Sequence, residues 1–192
     1  MNEKILPLRT DQLSKRYEKF VALQDASLEL NTGEIFGLIG LNGAGKTTLI
    51  KSILQLAIGQ KGKIEIFGQP ACEVVSRRNL AYLPEKFQPS KYLTGLEYLE
   101  LSLSYYGAKL SRDAAGETAR ALDFPVEKLG QKISSYSKGT AQKVGLIAAF
   151  LVERPLLILD EPMSGLDPLA RIRLKQRMKA YRDAGNTLFF SS

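Results

Sequence analysis

The stretch Gly40-Leu41-Asn42-Gly43-Ala44-Gly45-Lys46-Thr47, with Thr48 behind it, constrains this chain more than any other part of it. It fits G-x-x-x-x-G-K-[ST] and sits between two recognisable elements. Ile35 to Ile39 is a short apolar run bounded by glycines, which predicts a buried strand. Leu49, Ile50, Ile53, Leu54 and Ala57 share one helical face, and Gly59 is placed to end that helix. A strand, a glycine loop and a helix let backbone N–H groups curl around phosphate oxygens, with the helix dipole adding positive potential. In that arrangement Lys46 reaches the β- and γ-phosphates of a nucleotide, the Thr47 hydroxyl ligates Mg²⁺, and Thr48 adds a phosphate contact. The G-x-G-x-x-G order is missing, so a dinucleotide fingerprint is excluded.

A second phosphate-chemistry element follows downstream. Leu156 to Leu159 predicts another buried strand, and it runs directly into Asp160-Glu161. Two carboxylates at the carboxyl end of a parallel strand lie beside the phosphate loop. Asp160 is placed there to hold Mg²⁺ through water, and Glu161 to orient or deprotonate an attacking water. Phe20 to Leu30, Lys63 to Phe67, Asn79 to Leu83 and Thr187 to Ser192 read as further strands, with a turn at Asn31–Glu34. Between Thr94 and Ala149 the pattern turns helical, with Leu96, Leu99, Leu103 and Tyr106 on one face and Ala114 to Leu122 on another. Asp167 reads as the N-cap of a helix with Pro168 at its first position and Ala170, Leu174, Met178 and Tyr181 facing inward; Gly185-Asn186 ends it. The expectation is one α/β domain over residues 1–192. Its nucleotide-binding core comprises 1–88 and 154–192, and a helical insertion spans about 89–153.

Bulk properties narrow the classes. A chain of 192 residues, 44% hydrophobic and 24% charged, suffices for one domain with a substantial core. The net charge of +7 is spread along the chain, so it reads as solvated surface and nucleic acid is not expected as a partner. Cys72 is the only cysteine, which excludes an internal disulfide and is consistent with a reducing compartment. Met1-Asn2-Glu3-Lys4 opens no apolar leader, and the longest apolar run, Leu146 to Val152, is far below the ~20 residues of a spanning helix. The chain is expected not to cross a membrane itself.

Tyr136-Ser137-Lys138-Gly139-Thr140-Ala141-Gln142-Lys143 precedes the second strand, and Ser164-Gly165-Leu166-Asp167 follows Glu161. In this order around Leu156–Pro162 they make the chain resemble the ATP-binding cassette (ABC) family, from Tyr17 to Ser192. The resemblance implies a RecA-like P-loop NTPase core with a mainly parallel sheet, an N-terminal antiparallel β part and an inserted helical subdomain. It implies ATP and Mg²⁺ as ligands. Gly40 to Thr48 form the phosphate loop, and Tyr17 stands where the family stacks an aromatic on adenine. Ser137 and Gly139 match the signature loop that caps the nucleotide of a second subunit, and Asp167 matches the loop joining the two sites. Lys46 and Glu161 take the catalytic positions; Thr47, Asp160 and the residue after Leu83-Pro84, Glu85, take the metal positions. The partners implied are a second cassette, most simply a copy of this chain, and a transmembrane permease that the helical insertion touches. The chain would then sit on the inner face of the cell membrane, energising export.

The chain departs from the family at three places. Lys138 and Thr140 replace two residues of the signature, where Lys138 either adds a phosphate contact or faces solvent. Glu85 stands where the family carries a glutamine, and either it or Gln88 takes that role. The chain contains no histidine and stops at Ser192, where the family's switch histidine would follow, so a truncated C-terminus is expected. Two rival readings are a soluble cassette ATPase working on nucleic acid or ribosomes, and a regulatory nucleotide-binding module with impaired turnover. The first lacks the second cassette or coiled-coil insertion and any basic groove with interleaved aromatics. The second is opposed by the retention of Lys46, Thr47, Asp160 and Glu161. The transported substrate is not encoded here.

Overall fold

The computed structural model describes residues 5–192; Met1–Lys4, read above as opening no leader, lie outside the described residues. Eight strands and five α-helices occur among them: β1 (Leu8–Tyr17), β2 (Phe20–Leu30), β3 (Ile35–Leu38), α1 (Lys46–Ile53), β4 (Lys61–Ile66), β5 (Gln69–Pro70), β6 (Leu80–Leu83), α2 (Gly95–Ser104), α3 (Arg112–Ala121), α4 (Lys138–Leu151), β7 (Leu156–Leu159), α5 (Pro168–Asp183) and β8 (Thr187–Ser191).

The strands form two sheets. One is antiparallel in the order β2-β1-β4-β5, and the other is parallel in the order β3-β8-β7-β6. The parallel sheet and the N-terminal antiparallel part are thus as expected, and α2 to α4 lie between β6 and β7 in the chain. β7 shows why four apolar residues in a row suit a central strand. Leu157 and Leu159 pack into a core with Leu99, Leu146, Phe150 and Leu174, while Leu156 and Ile158 pack into a second core with Leu30, Ile50, Ile66 and Phe189. Both faces of the strand are buried, so alternation disappears.

Three readings change, and one strand is added. The run at Ile35–Ile39 is not a buried strand: β3 is the outer strand of its sheet, its residues are at most half-buried, and Ile39 is 80% exposed. The helix after the phosphate loop stops at Ile53 rather than near Gly59, because Leu54 already closes the backbone bonding and Ala57 is buried in the following loop. β1 is unforeseen. Its register against β2 and β4 shifts several times, and Gln12 takes a positive φ, so no clean period of two survives in its sequence. Tyr106 falls outside α2, which ends at Ser104.

Candidate functional site

Of the five helices, four carry a side-chain N-cap: Thr94 on α2, Ser111 on α3, Ser137 on α4 and Asp167 on α5. The exception is α1. Its N-cap is Gly45, with no side chain to offer and φ at 89°, so the first-turn N–H groups have no side-chain acceptor. Backbone N–H groups left uncapped at a helix start favour an anion beside them. Beside it opens a cleft of about 490 Å³, lined by Asn42, Gly43, Gly45, Lys46, Thr47 and Thr48 from the loop and by Phe20, Glu85, Glu161 and Ser164 from elsewhere. Gly40, Leu41 and Ala44 shape the loop instead. Ala44 N–H donates to the Leu41 carbonyl at 3.1 Å, and Gly40 N–H to the Ser192 carbonyl at 3.1 Å.

Lys46 is buried, and its ammonium lies 3.2 Å from Glu161 Oε1 while donating to the carbonyls of Gly40 at 2.6 Å and Leu41 at 3.3 Å. The loop therefore closes on its own cation, whose partners are groups that a phosphate would replace. Asp160 is completely buried. One of its oxygens accepts from the Ser191 hydroxyl at 2.6 Å and the Thr47 hydroxyl at 3.3 Å, whereas Oδ2 has no hydrogen-bond partner. A buried carboxylate oxygen with no donor is costly. With the Thr47 hydroxyl on the same carboxylate, the pair has the hard oxygen character that Mg²⁺ takes, with water and phosphate completing its shell. No cluster of three or more acidic, histidine or cysteine side chains suited to a metal occurs among the described residues.

Ser191 was not singled out from the sequence. Besides bonding Asp160, its Oγ accepts the Glu161 N–H at 2.9 Å, so one hydroxyl fixes both carboxylate residues. Glu161 adopts φ 48°, a left-handed conformation that turns the chain sharply off β7. The available signal was a small polar residue following the apolar run Leu188–Phe190 of β8; only the β7–β8 register, with Leu159 opposite Phe190, brings it to Asp160. Tyr82 reports the charge here: burial first, then Asp160 and Glu85, pushes its phenol far above its ordinary range.

Of the two residues left open after β6, Glu85 lines the cleft and Gln88 does not. The structure is less kind to Tyr17. That residue ends β1, pairs with Phe20 across the two-residue turn Glu18–Lys19, and is not in the lining; Phe20 is. Directly paired residues of a hairpin share a face, so Tyr17 stands beside Phe20. Ser137 and Gly139 are also outside the lining. They open α4, where Ser137 caps the Thr140 N–H at 3.2 Å and shares a 2.8 Å hydroxyl bond with Thr140. A Cβ on Gly139 would meet the Gly165 carbonyl at 2.7 Å. Asp167 caps the Ala170 N–H at 2.8 Å, which holds its carboxyl below the usual range, and lies 3.7 Å from Lys143.

Comparison with known proteins agrees with this picture. The profile of the ABC transporter family matches residues 23–164. An uncharacterized ABC transporter ATP-binding protein of Nostoc sp. (strain PCC 7120) is 39% identical over 178 residues, covering 91% of this chain and 53% of that protein. The ABC-type transporter ATP-binding protein EcsA of Bacillus subtilis is 38% identical over 190 residues, covering 96% of this chain and 76% of that one. The chain thus spans about half the length of the cyanobacterial relative. A solved ATP-binding subunit of an ABC transporter superposes with a TM-score of 0.84 at 37% identity, covering 96% of this chain and 78% of that one. Among the described residues no helix is long and apolar enough to cross a membrane.

Proposed function

This chain belongs to the ABC transporter family, and from that membership we propose that it binds and hydrolyses Mg-ATP as the motor subunit of a transporter whose membrane-spanning part is a separate chain. The observation that carries the reading is the Lys46–Glu161 contact at 3.2 Å beside the uncapped start of α1. A phosphate-binding cation and the carboxylate needed to direct water lie within one contact of each other, at the mouth of a cleft of nucleotide size.

In this mechanism the triphosphate displaces Lys46 from Glu161 and from the carbonyls of Gly40 and Leu41, and takes the N–H groups of the loop and of α1. Lys46 then follows the transferred phosphoryl group, and Glu161, freed, accepts a hydrogen bond from the attacking water and aligns it. Ser191 holds Glu161 from behind through its N–H. Thr47 and Asp160, with Glu85, would hold Mg²⁺, which when bound neutralises charge on the phosphate oxygens. Positioning and charge stabilisation dominate, as little covalent chemistry is asked of the protein.

Ser137 and Gly139 lie outside the cleft of their own chain. The family resemblance gives them a role in trans, capping the nucleotide of a second copy in a homodimer, and a position outside their own cleft supports it. Residues 1–88 and 154–192 act as the nucleotide-binding core and 89–153 as the helical part. The membrane partner would seat in the aromatic groove of about 230 Å³ between them, where Phe87, Tyr98 and Tyr106 meet Pro84. On this reading the chain sits on the inner face of the membrane, and the resemblance of its motifs to the exporter subclass supports export.

Steady-state ATP hydrolysis tests this directly. Lys46→Ala and Glu161→Gln should each reduce turnover by roughly 10²–10³-fold, the scale of losing one electrostatic partner of the transition state. A Glu161→Gln chain that turned over at the parental rate would remove the carboxylate from its role. A second reading, a nucleotide-binding module with little turnover, draws on the Ser137–Thr140 hydroxyl bond, which occupies the signature serine. Absence of hydrolysis by the parental chain despite ATP-dependent dimerisation would favour it.

A further inference from the structure

Lys15 is buried to 7% exposure on β1, and no carboxylate pairs with it among the described residues. Its ammonium has two partners. It donates a hydrogen bond to the Ile58 carbonyl, and it sits 4.8 Å from the centroid of the Tyr17 ring. A lysine withdrawn from water without a counter-ion is expensive, so the position requires a reason.

Both partners lead to the nucleotide. Ile58 lies in the loop that follows α1, the helix that opens at the phosphate loop. Tyr17 stands at the end of β1, beside Phe20 of the cleft wall. Lys15 thus ties the strand bearing the aromatic to the segment that ends the phosphate-binding helix. A nucleotide has a fixed reach from base to phosphates, and one ammonium fixes the distance between the two surfaces that must receive them. The cation also covers one face of the Tyr17 ring while the residue remains 44% exposed, leaving ring surface for another partner. A cation behind an aromatic draws its π density away from the open face, which favours stacking with an electron-rich ring.

We propose that Lys15 is the positioning residue of the base site: it sets the Tyr17 ring at a fixed distance from the phosphate loop and polarises it for a purine. This rests on the reading of Tyr17 as the base platform, so the test must separate the two.

Affinities for ATP and for inorganic tripolyphosphate would be measured by calorimetry on the parental chain, Lys15→Met, Lys15→Arg, Tyr17→Ala and the Lys15→Met/Tyr17→Ala double variant. Lys15→Met should weaken ATP about threefold to tenfold, the scale of a partly desolvated cation–π contact. It should leave tripolyphosphate unchanged. Lys15→Arg should keep the parental ATP affinity, and Lys15→Met should have no further effect once Tyr17 is gone. Lys15→Gln, which keeps a donor for Ile58 and guards against misfolding, should follow Lys15→Met. Equal weakening of both ligands, or a Lys15→Met effect that persists without Tyr17, would reduce Lys15 to a structural lysine. If Tyr17→Ala weakens ATP and Lys15→Met does not, Lys15 alone loses its role. If Tyr17→Ala binds ATP like the parent, the base platform falls and the Lys15 proposal with it.

Discussion

A Cβ on Gly45 would lie 2.3 Å from the Ala22 carbonyl oxygen, and the residue holds φ at 89°. Both facts follow from packing the phosphate loop against β2, and neither can relax without moving backbone. Gly45→Ala should therefore cost about 1–3 kcal/mol from the conformation alone. The fall should appear in the urea midpoint together with loss of ATP binding in titration. Ser191 is the complementary case, because its side chain is needed rather than forbidden. Ser191→Ala strips a donor from buried Asp160 and an acceptor from the Glu161 N–H. Unsatisfied groups of this kind cost about 1–3 kcal/mol each. Turnover should fall further than ATP affinity, since Ser191 orients Glu161 and does not line the cleft. Comparing kcat with the dissociation constant checks it.

At the scale of elements, α2 shows how a helix start acquires pH dependence. Thr94 and Glu97 form a capping box, in which the Glu97 carboxylate accepts the Thr94 N–H at 2.7 Å and the Thr94 hydroxyl accepts the Glu97 N–H at 3.2 Å. The Thr94 backbone bond first, and its hydroxyl second, hold the Glu97 carboxyl below its ordinary range. A depressed carboxylate stabilises the fold above its unfolded value, and that contribution is lost as pH falls through the folded value. Glu97→Gln should thus lower the thermal midpoint at neutral pH, with the gap to the parent closing at pH below the ordinary carboxylate range. Melting curves at a series of pH values decide it. The start of α4 is constrained differently. Gly139 touches Gly165 closely enough that a methyl group would meet backbone at 2.7 Å, and one turn further on Lys143 bonds Asp123 at 3.1 Å and lies 3.7 Å from Asp167. The signature turn and the loop after Glu161 are thereby held as one piece.

For the whole molecule, this rigidity gives a prediction about assembly. In a Glu161→Gln background the solution mass should double on adding Mg-ATP, and adding Gly139→Ala should abolish the doubling while ATP still binds, because the phosphate loop is untouched. Light scattering with and without nucleotide reads both. Much of this molecule was legible in the residues themselves. Gly40–Thr48 and Leu156–Glu161 specify their local geometry through glycine freedom, missing caps and apolar continuity, all properties of neighbours in the chain. The boundaries of β2 and β7 and the Asp167 cap of α5 came from the same local rules. What depended on distant segments was not legible. The outer position of β3 is set by strand order, the tie of Ser191 to Asp160 and Glu161 by β7–β8 register, and the presence of Glu85 rather than Gln88 in the cleft wall by the path of the chain after β6. The burial of Lys15 against Tyr17 and Ile58 belongs with them, since it joins a strand to a loop beyond the helix between. Local sequence fixes which conformations a segment favours; which segments then meet is decided by the packing of the two cores, and only there do polar groups find the partners that give them a role.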